Sequence, residues 1–418
     1  MGPAALALYA LAATGAAAWA AAAFLLIAWL QLRPWSDANR DHSAKVAALP
    51  YAAFAAGCWS RHAGGWVAAQ VPAPMLAVEA ASAFLKSQVL FTLVELGVPE
   101  ALQAGPRTAT ALAAACGAAR PEWLARVLAA ADECGFWRDG EFEYSSNAIT
   151  ACLARGHRSS VADMVRLYQY NYESAAALPE SIRRGVPSHE LRSGGGFWAQ
   201  LAGDPKKGAV FDAAMASFKD LGGASVVAGY DWSQYSTVLD VAGGNGSFLA
   251  ALLGRCPHLR GVVIDQKQQV ERAPEWWRGA HPDLLPRAAF VAGDMFDGAS
   301  IPPPPAGGGR AAYVLRNILH NWPDADALRI LKGIRAAIPA GAEARAALCI
   351  IELTSSPAGL PALLEPRLLA DVQMLALFGG GKERDEGQFR RLLAAAGFAL
   401  ARAVRTAGPL LVLEAAPV

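Results

Sequence analysis

The segment VLDVAGGNGSFLAALL (residues 238–253) changes its patterning twice within a short span. An apolar, β-branched run carrying Asp240 gives way to Gly243, Gly244 and Gly246, and an apolar stretch at helical spacing follows. That is a strand, a glycine loop and a helix, in which glycines let the backbone pass close to a ligand at a helix start. Two details set it apart from a dinucleotide-binding loop. Asp240 lies inside the strand, where dehydrogenases usually carry an apolar residue, and the sixth position counted from Gly244 is Leu249 instead of glycine.

Outward from this segment, strands and helices alternate to the end of the chain. The runs LRGVVIDQ (259–266), AAFVAGDMF (288–296), AAYVLRNIL (311–319) and AALCIIEL (346–353) are short, β-branched-rich strands, each leading to a helix or a loop. This predicts an α/β fold with a mostly parallel sheet. The tail FALARAVRTAGPLLVLEAAP (398–417) reads as two strands around a Gly-Pro turn, an antiparallel hairpin at the sheet edge.

Acids stand at the strand ends. Asp265 ends the second strand, 19 residues after Gly246, where a carboxylate can take both hydroxyls of a ribose; on spacing alone an ordinary strand-end acid is the lesser alternative. Asp294 follows the third strand and precedes Met295 and Phe296, so that an acid able to hold the amino edge of adenine adjoins two groups able to cover its face. Three acids at successive strand ends, with no phosphate-binding lysine, suit a nucleoside without phosphates, and S-adenosylmethionine is one.

Composition narrows the partners. The chain has 418 residues, a formal net charge of +1 and no Lys/Arg run, so no nucleic-acid partner is expected. Six scattered cysteines form no Cys-x-x-Cys pair and no Cys/His cluster at metal-ligand spacing. They read as reduced thiols in a cytosol-like compartment, with no structural metal. Residues 2–31 carry no charged side chain and are long enough to cross a bilayer, while Arg33, Arg40 and Lys45 follow. Residues 1–33 are therefore read as a hydrophobic segment and membrane anchor that leaves the rest of the chain cytoplasmic. A cleaved or organelle-targeting segment and an alanine-rich docked helix are the alternatives.

Residues 34–74 read as a linker. Residues 75–160 give three helices followed by a hairpin wing, RDGEFEYSSNAITACL (138–153), a mainly helical winged-helix unit. Its helices lack the clustered basic residues that DNA binding needs, which favours dimerisation. Residues 161–230 are a helical connector, and residues 231–418 hold the α/β domain.

From about residue 75 onward the chain resembles the S-adenosylmethionine-dependent small-molecule O-methyltransferases of the caffeic-acid and acetylserotonin type. The segments that carry the resemblance are GPRTATALAAACGA, DPKKGAVFDAAMASF, VLDVAGGNGSF, AGDMF, LRNILHNWPDADALRIL and MLALFGGGKERDEGQFRRLLAAAGF, in the family's order and across about four-fifths of the chain. The resemblance implies a Rossmann-like methyltransferase sheet, a homodimer and a small-molecule acceptor. It implies Asp265 as the ribose-binding acid, with Gln266 beside it, and Asp294 and Met295 as adenine contacts. Arg316 stands where the family has a cofactor-contacting lysine. His320 matches the catalytic base, and Glu352 and Glu383 the two acids that hold it. Met215 falls at a position lining the acceptor pocket, to which Phe218 and Trp322 are also assigned.

Ligand sites in open α/β sheets lie at the carboxyl ends of the strands, so His320 is expected to face the crevice that holds the methyl donor. A phenol near pKa ~10 and a histidine near ~6.5 differ enough that proton transfer before attack is uphill by roughly 5 kcal/mol. The carboxylates must raise the histidine's basicity, or the proton must leave as the methyl arrives. Positioning of the two reactants supplies roughly 7–11 kcal/mol and is expected to be the larger contribution.

The chain departs from the family pattern in places. Ala242 replaces the first glycine of the loop, Gln266 and Lys267 stand where a Leu-Pro pair is common, Asn321 follows His320 in place of Asp, and Phe218 occupies a position where some plant members have histidine. Two other readings keep the fold. In one the chain S-methylates a thioether acid such as 4-methylthio-2-hydroxybutyrate, with Arg166, Arg183 or Arg184 pairing the carboxylate. In the other it is a non-catalytic winged-helix dimer that binds the cofactor only as scaffold or sensor.

Overall fold

The computed structural model describes residues 72–131, 136–139, 143–157, 159–218, 223–306, 309–354, 361–406 and 409–418. The expected hydrophobic segment at 1–33 and nearly all of the linker at 34–74 lie outside the described residues.

The C-terminal sheet has seven strands: β4 (Thr237–Val241), β5 (Arg260–Asp265), β6 (Ala288–Ala292), β7 (Ala311–Arg316), β8 (Ala346–Leu353), β9 (Phe398–Arg405) and β10 (Leu410–Pro417). Their order is β6-β5-β4-β7-β8-β10-β9. Strands β4 to β8 pair in parallel, and β10 runs antiparallel to both β8 and β9. The sheet reverses its order of growth between β4 and β7, and this opens a crevice at the carboxyl ends of those strands.

The two central strands explain why these sequences read as unbroken apolar runs. Along β7 and β8, Tyr313, Leu315, Leu348 and Ile350 enter one core, and Ala312, Val314, Cys349 and Ile351 enter the other. Successive side chains point to opposite faces, and helices cover both. One core packs the sheet against helices Asp324–Ala336 and Glu386–Ala395, and the other against Ser247–Arg255 and Lys267–Ala280. Glu414, the one acid inside β10, is buried there and takes hydrogen bonds from the Tyr230 hydroxyl at 2.6 Å and Arg402 at 2.6 Å, with Arg310 at 3.2 Å.

Glycines set how closely the layers approach. A Cβ on Gly261 in β5 would lie 2.6 Å from the Leu249 side chain of the helix above it, and one on Gly298 would lie 2.7 Å from the Gly333 carbonyl. The second contact docks the loop after β6 directly on helix Asp324–Ala336.

The N-terminal unit has its own core, in which Leu93, Val94, Leu112, Leu124, Leu128 and Leu153 meet. Its small sheet joins β1 (Arg107–Thr108), β2 (Phe136–Asp139) and β3 (Glu143–Ser146) in the order β1-β3-β2. The reading of residues 138–153 as a wing throughout is corrected here, because Ala148–Leu153 is a helix. Asn147 caps it by accepting the N–H groups of Ile149 and Thr150 at 2.8 and 3.2 Å, while the Thr150 hydroxyl accepts the Asn147 N–H at 2.7 Å.

Leu348 has no solvent exposure and sits at the centre of the larger core. Leu348→Ala is expected to lower stability by about 2–5 kcal/mol, read as a lower urea midpoint with an unchanged slope.

Candidate active site

The glycine loop leaves β4 with its backbone tied to β5: Ala242 N–H donates to the Ile264 carbonyl at 2.8 Å. Ala242 has φ +56, a left-handed conformation that costs a non-glycine residue, at the position where the family carries glycine. Gly246 caps helix Ser247–Arg255 at φ +76, and a Cβ there would lie 2.6 Å from Val263. A Cβ on Gly243 would lie 2.7 Å from the Asp240 carboxylate, whereas the space around Gly244 is open.

Asp240 is buried, and its Oδ2 has no hydrogen-bond partner. Burial, with Asp265 adding to it and Arg316 opposing, pushes its carboxyl up to about 7. Asp265 is oriented by the backbone: Oδ2 accepts the Gly244 N–H and Oδ1 the Gln266 N–H, both at 2.7 Å. Each oxygen keeps a lone pair for a ligand. Gln266 contributes this amide, and its side chain is exposed.

Asp294 is exposed, two residues past the carboxyl end of β6. Its Oδ1 accepts the Phe296 N–H at 2.9 Å, and its backbone is latched to Ser300. Met295 and Phe296 pack against the larger core. The Arg329 guanidinium lies over the Phe296 ring at 5.0 Å, and Trp322 meets that ring edge-on at 4.8 Å. Much of Phe296 is therefore engaged by protein, which leaves Asp294 and Met295 the freer pair. Arg316, ending β7, lies 5.1 Å over the Phe248 ring, and its buried Nη1 is without a hydrogen-bond partner.

His320 sits in a single turn, Leu319–Asn321, immediately after β7. Its Nδ1 is 2.8 Å from Glu383 Oε1 and 3.6 Å from Glu352 Oε2. Glu352, near the end of β8, is fully buried and accepts the backbone N–H groups of Ile318, Leu319 and His320 at 3.0, 2.9 and 3.4 Å. One of its oxygens thus shapes the turn, and the other faces the imidazole. Burial alone pulls the His320 pKa down, but Glu352 and Glu383 outweigh it and raise it to about 9. Burial also pushes the Glu352 carboxyl up, against the pull of His320.

Glu383 comes from the glycine strap that follows helix Pro361–Phe378. The strap passes so close to the His320 turn that a Cβ on Gly381 would lie 2.6 Å from the His320 carbonyl oxygen. Gly379 turns at φ +61 against Pro187. Asp371 fixes the strap by accepting the Glu383 N–H at 2.7 Å. The charged run KERDE (382–386) is not a solvated loop, since Glu383 and Arg384 are both buried.

An aromatic wall extends from Trp322, two residues after His320. Trp198 stacks on Phe378 at 5.3 Å and lies near-parallel to Trp322 at 6.5 Å, and Phe197 and Phe211 meet Trp198 edge-on at 5.2 and 5.6 Å. Met215 packs beside Phe211 against Met164 and Leu167. Phe218 ends helix Pro205–Phe218, and its side chain lies outside what is described. The sequence reading missed Phe197, Trp198, Phe211, Phe378, Asp371 and Arg384. Only the three glycines preceding Lys382 signalled that backbone comes close there. The arginines considered for a thioether-acid carboxylate are otherwise engaged: Arg166 faces Glu95 and Asp163, and Arg183 and Arg184 pair with Glu180 on the surface.

Residues 176–399 match the family model of the O-methyltransferase domain, and residues 78–155 match that of the O-methyltransferase dimerisation domain. The chain belongs to the O-methyltransferase family. The enzyme is 34% identical over 336 residues to the mitomycin biosynthesis 6-O-methyltransferase of Streptomyces lavendulae, covering 79% of this chain and 90% of the relative. It is 30% identical to the phenazine O-methyltransferase PhzM of Lysobacter antibioticus, over 84% of this chain and 98% of that one. Among solved structures it is similar to NcsB1, an O-methyltransferase from neocarzinostatin biosynthesis in complex with S-adenosylmethionine and 2-hydroxy-5-methyl naphthoic acid, with a TM-score of 0.64 and 30% identity over 79% of this chain and 96% of that one. The enzyme is an S-adenosylmethionine-dependent methyltransferase that acts on small-molecule hydroxyls. Neither the thioether-acid reading nor the non-catalytic one gains support from these matches.

The crevice fits that cofactor. Asp265 is pre-oriented with lone pairs to spare, Asp240 Oδ2 and Arg316 Nη1 are buried polar atoms without partners, and the space above Gly244 is clear.

In the cofactor-free enzyme, the His320 imidazole is expected to titrate near 9 by NMR, and Glu383→Gln to bring that value down toward the ordinary ~6.5. A wild-type titration at the ordinary value would contradict the geometry.

Proposed function

We propose that His320 is the general base for methylation of a hydroxyl on a planar aromatic molecule, and that Asp265, Asp294, Met295 and Arg316 hold the cofactor beside it. The observation that carries this reading is the 2.8 Å contact between His320 Nδ1 and Glu383. With Nδ1–H donating to that carboxylate, the neutral imidazole keeps its lone pair on Nε2 for the acceptor's proton. Glu352 and Glu383 then stabilise the imidazolium that forms. When bound, S-adenosylmethionine supplies an electrophilic methyl group on a sulfonium.

The two carboxylates also reduce the cost of that proton transfer. With the imidazole raised to about 9, the gap to a phenol near ~10 is about one unit, or about 1.4 kcal/mol. That saving is offset by the cost of deprotonating the ring, about 1.4 kcal/mol for each pH unit below 9. Turnover is therefore expected to rise with pH through the His320 titration, and the alignment of acceptor and cofactor remains the main demand on the protein. A flat acceptor is supported by the wall of Trp198, Phe211, Trp322 and Phe378, since aromatic faces favour stacked or edge-on rings. The relatives named for phenazine and for a naphthoic acid complex agree with it.

A homodimer is supported by the matched dimerisation domain and by apolar side chains left on the surface. Helix Ala73–Ser82 has no buried residue, and Met75, Val78, Leu368 and Leu369 are exposed. The helical run Ala73–Glu95 is long and apolar enough to cross a membrane. Its second half nevertheless buries Phe91, Leu93 and Val94 in the N-terminal core, which favours a protein partner. A groove of about 380 Å³, lined by Leu90, Tyr168, Tyr172, Leu369 and Val372 among others, adjoins this surface. A reducing, cytosol-like compartment is supported by four free cysteines among the described residues.

His320→Ala is expected to lower kcat for a phenolic acceptor by about 10²–10⁴-fold with the cofactor Kd unchanged, whereas Asp265→Asn is expected to weaken cofactor binding. Unchanged turnover by His320→Ala would remove the proposed base. Sedimentation at micromolar concentration is expected to show a dimer, and Leu369→Asp to shift it toward monomer.

A further inference from the structure

We infer that Arg384 is a positioning residue for the proton acceptor, holding the backbone on both sides of His320 so that the imidazole stays on Glu383. The inference rests on the reading of His320 as the base.

Arg384 is fully buried. Its Nη1 donates to the Leu319 carbonyl and its Nη2 to the Trp322 carbonyl, each at 2.6 Å, and its Nε donates to Asp324 Oδ1 at 2.9 Å. Leu319 precedes His320 and Trp322 follows two residues later, so the guanidinium bridges the turn that carries the imidazole. Its carboxylate partner among the described residues, Asp324, lies 2.9 Å from both Nε and Nη2, is about half exposed and also takes Lys382 Nζ at 2.7 Å. That half-exposed carboxylate, shared with Lys382, balances the buried charge only in part. Two of its donors serve neutral carbonyls on either side of the turn, a task that suits the rigid planar fork of arginine and not the single ammonium of lysine.

Three residues of one strap thus act on one turn. Gly381 abuts the His320 carbonyl, Glu383 takes Nδ1, and Arg384 fixes the flanking carbonyls. A shift of the turn relative to the strap would lengthen the Nδ1–Glu383 contact directly. Glu352 would still hold the Ile318 and Leu319 amides, so the fold of the turn would persist while its register against the strap loosened. The charged groups that face His320 are Glu352 from β8 and Glu383 from the strap. Arg316 and Asp324 stand one group further out, beside Glu352 and Arg384 respectively.

The test compares full-length wild type, Arg384→Lys, Asp324→Asn and His320→Ala. It measures kcat and KM with a phenolic acceptor, cofactor Kd by calorimetry, the pH dependence of kcat/KM, and the His320 titration by NMR. Arg384→Lys is expected to lower kcat by about 10²-fold, as small misplacements of a reacting group do. Its cofactor Kd should stay within about twofold, since it touches no cofactor residue. The acid limb of its pH profile and its His320 titration should both move toward the ordinary imidazole value. Asp324→Asn, which leaves both carbonyl bonds in place, should move them the same way by less. A His320 titration and acid limb that stay at the wild-type position in both variants, with kcat falling only as the cofactor-binding fraction falls, would overturn the inference. If Arg384→Lys does not fold, an unmoved limb and titration in Asp324→Asn overturn it alone. Full activity in His320→Ala would instead defeat the base assignment, and the NMR titration would still decide whether Arg384 sets the imidazole's contact.

Discussion

Removing a carboxylate from water is costly unless hydrogen bonds and charges replace the solvent, and Glu352 obtains both from one short turn. Three backbone amides of residues 318–320 converge on its Oε1, while the imidazole of the last of them lies beside its Oε2. The acid is buried because it ends a strand covered on both faces, and the turn takes its shape because those amides need an acceptor. The result is a histidine whose backbone is fixed by one carboxylate and whose ring is held by a second. Two negative groups close to a mostly buried imidazole overcome the desolvation that would otherwise lower its basicity.

The rest of the site is arranged around that fixed point. The parallel strands deliver Asp240, Asp265 and Arg316 to one crevice because all of them lie at carboxyl ends on either side of the sheet's reversal. Glycines then decide how near the pieces stand. Gly246 and Gly261 bring the first helix onto β5, Gly298 and Gly333 dock the loop carrying Asp294, and Gly381 lets the strap reach His320. The aromatic wall belongs to different elements again, with Phe197, Trp198 and Phe211 from the connecting helices and Phe378 from the end of helix Pro361–Phe378. Trp322 links these elements, meeting Phe296 edge-on on one side and lying near-parallel to Trp198 on the other.

Much of this was legible in the chain itself. The glycine run after Asp240, the acids at 265 and 294 and the histidine after a buried strand are local patterns, because a strand followed by a tight turn places its last residues at the sheet edge wherever that strand lies. The wing was legible only in part, since the Asn147 cap that turns residues 148–153 into a helix competes with the alternation of a strand and prevails through the reciprocal Asn147–Thr150 bonds. Ala242 could be seen as an exception to the family's glycine, but its left-handed backbone could not.

Sequence by itself determined the α/β class, the succession of strands along the chain and the chemical identity of the groups at the strand ends, because periodicity and strand-end position depend on neighbours a few residues apart. Only the tertiary structure decided which acid holds the histidine's ring, which one builds its turn, and that Arg384 clamps the same turn. Those partners lie 32 to 65 residues from the groups they contact, and a charged residue in KERDE looks the same in the sequence whether the strap is buried or bathed in water. Burial, which sets the strength of each of these interactions, is a property of the assembled layers and is not encoded in any one segment.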